Sequence, residues 1–193
     1  VRLYRVRRTE LMLSLAAFLG VVGLGVLAGI VVAVALSIGN VFRRAWWPYQ
    51  TTLGRAGNLP GYHDVHSYPG AAQLAGCVIA RFDAPIFFAN ARTFRERILE
   101  LARGEPPPSW IVVAAEPVTD VDTTAADMLH DLDEELNARG INLVFAEMKD
   151  PVRRKLDRYE LTRTIDPAHF FPTLECAVDA FRAQTGAEWE RRD

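Results

Sequence analysis

Two threonines, Thr123 and Thr124, follow Asp122 where a helix is about to begin, and theirs are the hydroxyls of this chain best placed to do more than pack. Asp and Thr suit a helix start because their side-chain oxygens accept hydrogen bonds from the free N–H groups of the first turn. Thr124 with Asp127 three residues on has the spacing of a capping box, with Asp in the place usually held by Glu. The same N–H groups, at the positive end of the helix, would receive a phosphate added to either hydroxyl. Asp122, Thr123 and Thr124 are therefore candidates for a regulatory phosphorylation or ligand loop, with plain helix capping as the simpler reading.

Other groups are weaker candidates. His63, Asp64 and His66 could be drawn as a metal cluster, but no fourth ligand lies near them in sequence, so a solvated loop is expected and no metal site is assigned. Asp120, Asp122, Asp127, Asp131 and Asp133 could be drawn as catalytic carboxylates, yet helical spacing explains most of them as a solvated face. Arg153, Arg154, Lys155 and Arg158 form a basic turn that could meet anionic headgroups, or simply face water. The chain has no Gly-x-Ser-x-Gly, His-Glu-x-x-His or P-loop, so no catalytic residue, no cofactor and no enzyme activity is expected.

These residues sit on alternating strand and helix patterns. Residues 77–82 (CVIARF), 110–115 (WIVVAA) and 141–146 (INLVFA) are short apolar runs, the latter two of the kind that marks strands covered on both faces. Between them, 94–102 repeats Phe94, Ile98 and Leu101 on one helical face, and the helix after Thr124 turns Ala125, Leu129, Leu132 and Leu136 inward until Gly140. Asp150-Pro151 reads as an N-cap with proline at the first helical position, and a last helix is expected over 173–184. The fold class is α/β, a mixed sheet with helices packed on it.

Ahead of this domain, residues 11–42 carry no charge, with Arg5, Arg7 and Arg8 before them and Arg43 and Arg44 after. Arginine at both ends favours a chain that leaves the cytoplasm and returns. As one helix the run would reach roughly 48 Å, past a hydrocarbon core of about 30 Å, yet it is short for two full spans. Gly20, Gly23 and Gly25 mark the expected bend, giving a short first arm over 9–21 and a second helix over 25–42; one tilted anchor helix and a secretory signal are the competing readings. Gly25, Gly29, Ala33 and Ser37, spaced by four, form a ridge where another helix could approach closely, and a partner outside the chain is expected there. Gly23, Gly25 and Gly29 loosely imitate a dinucleotide fingerprint, but no acid follows before Asp64.

The charge divides with the pattern: residues 1–44 are net +5 and the rest net −7, together the chain's −2. An acidic domain without a basic stripe excludes nucleic acid as an expected partner. Cys77 and Cys176 lack metal-ligand spacing and read as reduced thiols. Trp46-Trp47-Pro48-Tyr49 suits the headgroup level of a bilayer. The expected organisation is a basic segment (1–8), a transmembrane hairpin (9–43), an interfacial collar and linker (44–61), the α/β domain (62–186) and a charged tail (187–193). The chain starts at Val1 rather than methionine, so a fragment of something longer is expected.

Three stretches then give a resemblance. RFDAPIFFANA (81–91), VTDVDTTAAD (118–127) and FFPTLECAVD (170–179) resemble the STAS domain of the SulP, or sulfate permease, anion transporters, and the uncharged run resembles the last two membrane helices of that family. The resemblance implies a STAS-type mixed β-sheet packed by helices and preceded by a helical hairpin. It also implies a multi-pass protein of the cell membrane, in contact with the lipid bilayer and with both termini cytoplasmic. The chain would be the C-terminal end of a secondary active transporter, with sulfate or a similar small inorganic anion handled by an upstream transmembrane domain. The STAS domain would serve assembly or regulation, commonly in a homodimer. In regulatory STAS proteins the loop matching Asp122-Thr123-Thr124 carries the phosphorylated hydroxyl, which by alignment is Thr124; Ala125 stands where glycine is usual. The alternative is a stand-alone membrane-tethered STAS regulator of the anti-sigma-factor-antagonist kind.

Overall fold

In the computed structural model, which describes residues 8–57, 59–161 and 164–191, the chain divides into two compact units, Val1–Trp47 and Pro48–Asp193.

The first unit is a helix pair, α1 (Arg8–Leu24) and α2 (Val26–Trp46). Of the glycines expected to bend the run, Gly25 alone sits at the break, at φ 88° and ψ 164°, a conformation that a side chain would strain. Gly20 and Gly23 stay inside α1, which therefore continues three residues past the expected end of the first arm. The bend is a reversal of direction. A Cβ built on Gly29 would fall 2.5 Å from the backbone nitrogen of Val21, whereas eight residues along an unbroken helix would put the two about 12 Å apart. Gly29 is the buried residue of α2, while Leu27, Val31, Val34 and Ile38 stand exposed. Among the described residues α2 is the one helix long and apolar enough to cross a membrane, and it ends on Arg43 and Arg44. Seventeen residues give α1 a length of about 25 Å, the short end of what a span needs.

The second unit is a mixed sheet. Strand β1 (Gln50–Gly54) runs antiparallel to β2 (His63–Asp64) on one side and to β4 (Cys77–Phe82) on the other. From β4 the sheet continues in parallel through β5 (Trp110–Ala114), β6 (Asn142–Ala146) and β7 (Phe170–Phe171). β3 (Ala72–Leu74) pairs with the start of β4 and with β8 (Trp189–Arg191). Thus residues 44–61, expected as collar and linker, supply the last turn of α2 and a strand of the sheet, and the expected charged tail supplies β8.

Helices α3 (Ala91–Leu101), α4 (Thr123–Asn137), α5 (Asp150–Arg158) and α6 (Leu174–Thr185) close the two apolar faces. Alternation in the parallel strands divides the core: Ile111, Val113, Leu143 and Phe145 join Phe94, Ile98, Leu129, Leu132 and Leu156 in one cluster. Trp110, Val112 and Val144 join Ala177, Val178 and Phe181 of α6 in the other. Burial on both faces is what makes β5 and β6 read as unbroken apolar runs. Asp150, the expected cap of α5, is instead its first helical residue, and the cap stands one place earlier at Lys149. α6 is capped by Thr173, whose Oγ1 accepts the Cys176 N–H at 3.1 Å, and stops at Gly186 in the left-handed region at φ 71°.

Candidate functional site

Two of the three resembling stretches meet at the C-terminal ends of β4 and β5. Leaving β4, the chain places Ile86, buried, beside Val121 in a parallel bridge. The Ile86 N–H donates to the Asp120 carbonyl at 3.0 Å, and the Asp122 N–H returns a bond to the Ile86 carbonyl at 3.3 Å. Asn90, fully buried, organises the turn between: its Oδ1 accepts the Phe87 N–H at 3.0 Å and its Nδ2 donates to the Pro85 carbonyl at 2.9 Å.

Asp122 fastens the two loops with one carboxylate. Oδ1 accepts the Ala125 N–H at 2.8 Å as the N-cap of α4, and Oδ2 accepts the Phe88 N–H at 2.9 Å. The cap is therefore Asp122, and the capping box expected from Thr124 and Asp127 is not formed. An Asp at the N-cap with β-region dihedrals satisfies the first-turn donor better than a residue already inside the helix. Thr123 and Thr124 lie in that first turn with exposed side chains that make no hydrogen bond among the described residues. Beside them Phe88 is 66 % exposed, its ring edge-on to Phe87 at 5.5 Å. Two lysines close the same end of the sheet. Lys155 Nζ lies 2.6 Å from Asp120 Oδ1, a bond that holds the Asp120 carboxyl below its ordinary range, and Lys149 Nζ donates to the Glu116 carbonyl at 2.7 Å. Chemically the arrangement can present two free hydroxyls and one aromatic ring at a helix N-terminus, with cations near the base of the loop.

The other sequence candidates fall elsewhere. Asp64 belongs to no solvated loop: its carboxylate accepts Thr51 Oγ1 at 2.5 Å, Tyr49 Oη, the His66 N–H at 2.8 Å and Ser67 Oγ at 3.2 Å. The Thr51 and Tyr49 hydroxyls, then the remaining donors, hold it well below the usual carboxylate range. His63 turns away to the Pro60 carbonyl at 3.0 Å and to the ring of Tyr68, and no group among the described residues has the make-up of a metal site. Asp133, expected on a solvated face, is 1 % exposed, and burial pushes its carboxyl up to about 6 against the opposing Asn137 hydrogen bond. Asp127 and Asp131 are exposed as expected. Arg153 lies over the ring of Phe170 at 5.0 Å and Lys155 is committed to Asp120, so the basic turn is partly used within the fold. Along the small-residue ridge, Gly25 is the break, Gly29 is packed on Val21, Ala33 is half-buried and Ser37 is exposed.

Comparison with known proteins supports the resemblance. A protein of Mycobacterium tuberculosis named "Probable sulfate transporter" is 44% identical over 182 residues, which is 94% of this chain and 32% of that protein. Sulfate transporter 1.1 of Arabidopsis thaliana is 29% identical over 92% of this chain and 29% of its own length, so the chain spans about a third of the curated relatives it matches. The murine Slc26a9 anion transporter in its inward-facing state shares the fold, with a TM-score of 0.82 over 94% of this chain and 30% of that one at 22% identity. The family model described as "STAS domain" matches residues 68–177, the stretch that holds β4 to β7, Asp122 and both threonines, and the chain belongs to the STAS-domain family.

Proposed function

We propose that this chain is the C-terminal portion of a secondary active transporter of sulfate or a similar small anion. One observation carries the reading: the 182 residues aligned with the mycobacterial protein outnumber those of the sheet unit, so the likeness takes in part of the helix pair as well. A regulator that shared only its STAS domain would not align there. In this reading α1 and α2 are the last two of many membrane helices, and lipid and an upstream transmembrane domain cover their apolar surface. The sheet unit is cytoplasmic and serves assembly, as a homodimer, or regulation. The anion is handled upstream, and no residue of this chain acts as a catalyst.

Within the sheet unit, Asp122, Thr123 and Thr124 form the regulatory loop. Asp122 sets the helix start, Thr123 or Thr124 receives a phosphate or a docking partner, and the ring of Phe88 is the neighbouring contact. A phosphate there gains the dipole of α4 and its free N–H groups. Thr124→Glu is expected to change transport with the melting curve unmoved.

The test is uptake of labelled sulfate by the protein whose reading frame contains this chain, expressed in cells lacking their own sulfate permease. Saturable uptake, with the frame running upstream of Val1 through roughly twelve further apolar spans of about twenty residues, is the expected result. A start codon immediately before this segment, with no such spans and no uptake, would leave the tethered regulator.

A further inference from the structure

The C-terminal end of α2 carries two openings with shared walls. Gly39, Phe42, Arg43 and Trp46, spaced by three and four, lie on one helical face, and with Trp47 they line a groove of about 470 Å³. Arg43, Arg44 and Trp47 line a second opening of about 300 Å³, so the two meet at Arg43 and Trp47. Rings build the groove's wall: the centroids of Phe42 and Trp46 are 5.6 Å apart, and those of Trp46 and Trp47 are 6.5 Å apart. Gly39 leaves the groove open, since a Cβ there would meet nothing within 4 Å. Both arginines are exposed, and neither guanidinium has a hydrogen bond or an ion pair among the described residues. No acid occurs between Glu10 and Asp64 to neutralise them. The carbonyl end of α2 supplies only about half a negative charge against their two positive ones.

We propose that this end of α2 binds one anionic phospholipid, with its phosphate on Arg43 and Arg44 beside the Trp47 indole and an acyl chain laid along Phe42 and Gly39. Polarity, charge and depth choose that ligand. The site is cationic at the end of the helix and apolar toward its middle, the order of a phospholipid from headgroup to chain. Excess positive charge favours a headgroup of net negative charge over a zwitterionic one, as juxtamembrane arginines do in general. Indole rings settle at headgroup level, which puts the arginines at the depth of the phosphates. A bare oxyanion would satisfy the arginines but leave the groove of Gly39, Phe42 and Trp46 uncovered. The inference rests on the reading of α2 as a membrane helix, and it is independent of which anion is carried and of the Asp122 loop.

The experiment places the whole protein in nanodiscs of equal phosphatidylglycerol and phosphatidylcholine, with a trace of one or the other carrying a photoreactive diazirine in its acyl chain. After illumination, mass spectrometry reads the lipid attached to residues 36–47. Phosphatidylglycerol is expected there roughly tenfold over phosphatidylcholine. Arg43→Gln combined with Arg44→Gln removes that preference. Gly39→Leu, whose side chain enters open groove, lowers capture severalfold with both arginines in place, and it keeps the test valid should the arginine variant fail to fold or insert; melting curves report folding for both. Equal capture of the two lipids, no capture because another helix covers this face, an unchanged preference in the folded arginine variant, or full capture in folded Gly39→Leu would each overturn the site. Loss of the preference in sulfate but not in chloride of equal ionic strength would overturn the lipid and leave a bare oxyanion site. Protein that stayed out of the nanodiscs would overturn the membrane reading together with the site, whereas inserted protein without the preference overturns the site alone.

Discussion

The helix pair and the sheet unit use apolar side chains in opposite ways. Leu27 of α2 is 79 % exposed and Leu132 of α4 is fully buried, yet both are leucines on the surface of a helix. In the sheet unit the apolar stripe of each helix is covered by the sheet, and polar residues face outward. In the helix pair the apolar residues go nearly all round, and what the two helices share is a close approach at Gly29. A helix that is apolar on every side needs a solvent other than water. The contrast separates a unit whose sequence supplies its own core from one whose surroundings must supply it.

Gly29→Leu is expected to break the helix pair most severely. Its side chain would enter the space held by the Val21 backbone, with a cost of roughly 3 kcal/mol or more, read as loss of folded protein in detergent titration. The same leucine-to-alanine change then sharpens the comparison between the units. Leu132→Ala removes a fully buried side chain and costs about 3 kcal/mol in chemical unfolding, while Leu27→Ala changes stability by less than about 0.5 kcal/mol.

Asp133 tests whether the sheet unit's core tolerates charge. Burial raises its folded carboxyl to about 6, so the folded state holds the proton where the unfolded chain, near 4, has released it. Stability therefore falls as pH rises from about 4 to 6 and is level above that. Asp133→Asn keeps an acceptor for Asn137 and should raise stability by on the order of 2 kcal/mol at pH 7.5, with almost no effect at pH 4. The smallest effect is at the loop. Asp122→Ala should cost about 1 kcal/mol as the lost cap of α4, whereas Thr124→Ala should leave the melting curve in place.

The parallel strands were legible because burial on both faces leaves only apolar residues in them, and α4 because its leucines keep helical spacing. β1 was not. Gln50-Thr51-Thr52-Leu53-Gly54 has one large apolar residue, and its pairing with β4 comes from residues some thirty positions on. β2, β3 and β8 are two or three residues long, too short to carry a period. Asp133 was misread by its type: it follows Leu129 by four and precedes Leu136 by three, an inward spacing that its charge obscured. Asp64 was missed because the hydroxyls that hold it, on Tyr49 and Thr51, precede it by 15 and 13 residues. At the Asp122 loop the motif marked the start of α4, but the shared capping chemistry of Asp and Thr left the cap assigned two residues late.

The comparison turns on whether the helix pair lies in a membrane with both arginine ends on the same side as the sheet unit. Single cysteines at Arg8 and Arg44 of the whole protein test this with an impermeant thiol reagent in intact cells. Exposed Cys176 is first replaced by serine; Cys77 can stay, because it is buried and burial pushes its thiol up to about 12. Both positions should resist labelling until the cells are opened, and then both should react. Labelling of only one of the two in intact cells would mean a single span and would contradict the hairpin.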